Sequence, residues 1–137
     1  MMYVTEQQMI DRFDAVEMEQ LTDLHRRGMI DTDVLAAAIT DASATIDSYL
    51  QRVRTLPLSQ VVINASPLAR YCGDLAMFYL YSNGAPEHVE KSYDKAITWL
   101  RDIAAGRASL GAEDAPAISG GRMVTAQGVS GTDWGSY

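Results

Sequence analysis

Asp41, Asp47 and Tyr49 fall within nine residues of one another in the stretch DASATIDSYLQRVRTLPL, and their side chains could do chemistry together. Two carboxylates and a phenol could serve as general acid, general base and hydrogen-bond donor, provided they converge on one point. The local pattern works against convergence. At about 100° per residue, Asp47 and Tyr49 do not share a helix face, and Ile46 and Leu50 flank Asp47 on the apolar side. Asp41 and Asp47 then read as solvent-side residues or local partners for Ser48 and Arg52.

Other reactive types are equally isolated. Cys72 is the one cysteine of the chain, which excludes an internal disulfide and fits a reducing compartment. It lies in an apolar helical pattern, with no strand–nucleophile–helix turn to present it as a nucleophile. His25 and His88 have no second histidine or cysteine at ligand spacing, so no zinc site is expected. The acids of DTDV lack the twelve-residue calcium loop with its central glycine and closing glutamate, and read as a helix cap. SGGRM and GVSG do not match a phosphate-binding loop and follow no strand. The residues point to no cofactor, no metal and no enzymatic role.

The elements that carry these residues are helical through residue 106. Thr5 is a candidate N-cap, with Gln8 completing a capping box and Met9, Ile10 and Phe13 forming a stripe. Val16, Met18, Leu21 and Leu24 mark a second short helix. HRRGM interrupts it, with Gly28 a candidate C-cap. Asp31 or Thr32 opens the longest helix, whose Leu35, Ile39, Ala42, Ile46, Tyr49 or Leu50, and Val53 follow a 3.6-residue repeat. Arg52 and Arg54 are placed in its last turn, where positive charge suits the helix end, and Pro57 stops it. These two arginines are candidate contacts for an acidic neighbour.

Ser66 and Pro67 begin a helix whose apolar residues, from Leu68 to Leu80, cover nearly its whole circumference; such a helix is central. Pro86 opens the last one, with Val89, Tyr93, Ala96, Ile97, Leu100 and Ile103 inward, Trp99 beside that stripe, and Gly106 at its end. The chain then changes character, since residues 107–137 hold six of its ten glycines and no helical or strand period. This segment reads as a flexible Gly/Ala-rich tail, ordered only on assembly, with Met123, Trp134 and Tyr137 as candidate partner contacts.

The 137 residues suit one domain with its own core, and 47% hydrophobic with 21% charged residues is an ordinary globular balance. No apolar run is long enough to span a membrane, and no secretory leader is visible. A net charge of −7 argues against gripping nucleic acid by its phosphates, while allowing DNA to pass nearby without sticking. The expected fold is all-α: a compact bundle of four to five helices over residues 1–106, followed by the tail.

Taken in order, MMYVTEQQMIDRF, EQLTD, IDTDVLAAAITDASATIDSYLQRV, LPL, LARYCGDLAMFYLY and YDKAITWLRDIAAGRASLG resemble the small head–tail connector (neck) proteins of Mu-like phages and prophages. Those proteins are more distantly similar to the helical head-completion adaptors of long-tailed phages. The likeness covers most of residues 1–111; HRRGM and SQVVINAS depart from it, which bears on loop contacts. It implies a non-enzymatic virion protein of the neck, present in host cytoplasm during assembly. It further implies self-association into a ring, commonly twelve-fold, between the portal protein and a head-closure or tail-completion protein, around the DNA channel and away from any membrane. The residues alone also fit a helical adaptor or regulatory module that binds a host or phage protein outside the virion.

Overall fold

The computed structural model describes residues 2–81 and 84–110. Six helices follow in chain order: α1 (Glu6–Phe13), α2 (Ala15–Thr22), α3 (Thr32–Leu50), α4 (Gln60–Ala65), α5 (Leu68–Leu80) and α6 (Glu87–Ala104). The described residues form no strand, so the architecture is the all-α bundle that the periodicity predicts. A sixth helix, α4, joins the five legible in the sequence. It lies in SQVVINAS, is capped by Ser59 through Val62 N–H, and is too short to display a period.

Local signals account for most helix starts. Thr5 Oγ1 accepts Gln8 N–H while Gln8 Oε1 accepts Thr5 N–H, the reciprocal capping box expected from TEQQ. Asp31 caps α3 through the N–H groups of Asp33 and Val34. One residue, Asp14 with φ of 82°, both ends α1 and begins α2, folding the two short helices across each other.

The core forms where α5 lies between α3 and α6, its most extensive neighbours. Leu35, Ile39, Ala42, Ile46 and Leu50 of α3 meet Leu68, Cys72, Leu75 and Ala76 of α5, all 0 or 1% exposed. Ala96 and Leu100 of α6 close the other side. Phe78 stacks on Tyr93 at 4.0 Å between centroids, and Tyr71 tilts against Trp99 at 4.8 Å. The folded body continues beyond Gly106: Arg107 pairs with Asp102, and Leu110 is 1% exposed.

Two stripes end earlier than periodicity suggests. α3 stops at Leu50, so Val53 is 40% exposed, and Arg52 and Arg54 lie in the turn beyond the helix rather than in its last turn. In α2 the stripe is narrower than four residues: Met18 is buried, but Val16 and Leu24 are 60 and 69% exposed. The cause is Asp23. Its carboxylate accepts the N–H groups of Arg27 (2.8 Å) and Gly28 (2.7 Å), which turns the chain out of the helix before Leu24 can face inward. Gly28, with φ of +75°, therefore serves this turn and does not cap α2.

Candidate functional site

The three residues first considered for chemistry do not form a site. Asp41 is exposed and Tyr49 is half-buried against the core. Asp47 accepts the Tyr3 hydroxyl, a partner 44 residues away. Tyr3 is 3% exposed, and burial, then the Asp47 hydrogen bond, raise its pKa far above the ordinary phenol value. Its backbone N–H donates to Ser43 Oγ at 3.3 Å, and Ser43 Oγ lies 3.5 Å from Cys72 Sγ. These contacts fasten the N-terminal arm to α3 and α5.

Cys72 is 0% exposed, and burial is the main cause of its raised pKa, so it stays a neutral thiol that reagents do not reach. His25 and His88 are both exposed. Among the described residues, no group of three or more His, Cys, Asp or Glu could hold a metal ion. No described helix is long and apolar enough to cross a membrane.

A second polar lock joins α1 to α5. Arg12 donates to Asp74 at 2.5 Å and to the Arg70 carbonyl at 2.8 Å, and lies 4.4 Å from the Phe13 ring centroid. Gly73 makes this possible, because a Cβ there would come within 2.9 Å of Arg12 Nη1. Asp74 is 6% exposed; desolvation raises its carboxyl pKa, against the opposing pull of Arg12. This geometry holds helices together and presents no open nucleophile or base.

What the surface offers is contact. Beside the Arg12–Asp74 lock is a small pocket of about 100 Å³, lined by Phe13, Met77 and Val89 together with Glu17 and Ser92. Beyond α2, all side chains from Leu24 to Met29 are exposed, Leu24 and Met29 by 69 and 56%. Val61 of α4 is 76% exposed. The sequence marks HRRGM as a break, but the apolar spacing carried the helix on to Leu24, which lies in the loop beyond Thr22. Of the expected contacts, Arg52 is exposed and Arg54 half-buried in the turn after α3. Met123, Trp134 and Tyr137 lie outside the described residues.

Comparison with known proteins gives this surface a context. A family model described as "Bacteriophage Mu, Gp36" matches residues 3–126. The chain is similar to "Mu-like prophage FluMu protein gp36" of Haemophilus influenzae, 33% identical over 113 residues, covering 82% of this chain and 78% of that protein. It is also similar to "Gene product J" of Escherichia phage Mu, 32% identical over 120 residues, covering 87% of this chain and 83% of that protein.

Proposed function

The chain belongs to the Bacteriophage Mu, Gp36 family, and from that premise we propose that it is a non-enzymatic structural protein of the phage neck. In this reading it is a head–tail connector that acts by assembly: copies close into a ring, twelve-fold in the simplest case. The ring joins the portal protein to a head-closure or tail-completion protein. It is built in the host cytoplasm and ends in the virion.

The observation that carries the reading furthest is apolar side chains left in water by a folded body that has its own core. Val16, Leu24, Met29 and Val61 are each more than half exposed, although the chain has a well-filled core in which to bury such residues. Exposure of this kind fits a surface that is covered in an assembly. A closed ring of heterologous contacts covers two different faces of each copy at once. The net charge of −7 favours passage over retention for a polyanion moving through the ring. Loaded with DNA, such a channel repels phosphate instead of neutralising it.

The experiment is to mix the full chain with the purified portal of its own phage, then image by negative-stain electron microscopy and sediment the mixture. Rings on the portal, and the chain in purified virions, are the expected results. Failure of both ring formation and cosedimentation at every salt concentration contradicts the proposal. Binding to a different phage or host protein, with the chain absent from virions, would favour a regulatory adaptor instead.

A further inference from the structure

We infer that the Leu24–Met29 loop is a docking finger that seats in the Phe13–Met77–Val89 pocket of a second copy of this chain. The inference deepens the ring reading and rests on it, since it assigns the two faces through which neighbouring copies meet.

The finger is built before it binds. Asp23 holds the backbone N–H groups of Arg27 and Gly28, and Arg27 Nη2 pairs with Asp31 at 3.1 Å. Arg26 and Gly28 both take positive φ, 55 and 75°, a conformation that this carboxylate clamp sustains. A loop already fixed in shape loses little entropy on docking. It presents two large apolar side chains, Leu24 at its start and Met29 at its end, with Leu24 next to His25, Arg26 and Arg27, in a chain with 18 Asp and Glu against 11 Lys and Arg.

The pocket complements it in size and charge. About 100 Å³ is space for one branched side chain and too little for a metabolite. Phe13, Met77 and Val89 supply apolar lining. Arg12 and Asp74 in the same wall satisfy each other, and exposed His88 is a further lining group. Glu17 is the other acidic side chain of the lining, and its Oε2 accepts the Tyr81 hydroxyl at 3.2 Å. Leu24 in the pocket would bring Arg26 towards Glu17. Asp14 and Glu90, adjacent in sequence to Phe13 and Val89, add negative charge at this end of the bundle. Finger and pocket lie at opposite ends of α2, so a copy using its finger keeps its own pocket available, as a head-to-tail contact requires.

The test uses full chains carrying Cys72→Ala and one new cysteine each. His25→Cys chains are mixed with Ser92→Cys chains on the portal and treated with a short bismaleimide, with His25→Cys plus Ala37→Cys as the control pair. The 25–92 pair is expected to link about tenfold better than the control, and Arg26→Glu to reduce that linkage by about the same factor. Placing Glu17→Lys on the Ser92→Cys chains that supply the pocket is expected to restore linkage to the Arg26→Glu finger chains. Rings in the microscope with no preferred 25–92 linkage overturn the finger contact and leave the connector reading intact. Preferred linkage without rings supports the contact and removes the connector. Neither rings nor linkage overturns both.

Discussion

At the residue scale, the interaction between Arg12, Gly73 and Asp74 makes the sharpest predictions. Arg12→Ala leaves a carboxylate 6% exposed without its main cation, and is expected to cost about 1–3 kcal/mol, less than a fully buried pair because Arg12 is itself 37% exposed. Gly73→Ala is expected to destabilise the wild type by pushing the guanidinium off its partners. In an Arg12→Ala background the same change should instead stabilise by up to about 1 kcal/mol, the ordinary helix preference of alanine over glycine. Chemical denaturation of the four proteins checks this reversal of sign. The pH dependence follows from Asp74. Its folded pKa is raised above the ordinary carboxyl value of 3.8, so between the two values the folded state holds the proton more tightly and stability falls as pH rises. Asp74→Asn removes the titration. Relative to that variant, the wild type should therefore gain stability as pH drops from neutrality through the raised folded value towards 3.8.

At the scale of elements, α3 tests the packing. Ile46 is 0% exposed against α5, and Ile46→Asp should cost about 3–5 kcal/mol by placing an unpaired charge in the core. An unchanged melting temperature would show that α3 faces the core differently. This helix was legible because Leu35, Ile39, Ala42 and Ile46 repeat over several turns, and repetition outweighs any single residue. The capping box at Thr5 was equally readable, because its two hydrogen bonds span only three residues. α4 was not, since six residues give no period. The limits of α2 and α3 were misjudged for a related reason: apolar spacing continued to Leu24 and Val53, while a side-chain-to-backbone clamp at Asp23 and a turn after Leu50 had already redirected the chain. Pairings such as Tyr3 with Asp47 or Arg12 with Asp74, 44 and 62 residues apart, depend on how helices cross, which spacing along one chain does not encode.

At the scale of the whole molecule, the division into a helical body and a C-terminal segment with a separate role remains our proposal. The buried cluster extends from Tyr3 to Leu110, so truncation after Gly111 should leave helical circular dichroism and the melting temperature nearly unchanged while weakening assembly. A cooperative loss of the fold would contradict that division. Leu110 itself belongs to the core, and cutting before it is expected to destabilise the body by about 1–3 kcal/mol, the range for losing one buried leucine. The most direct test of the central claim is electron microscopy of the full chain mixed with the portal of its own phage. A closed ring of this chain seated on the portal is the predicted result. A portal that stays bare at every salt concentration, with no chain cosedimenting, would contradict the account.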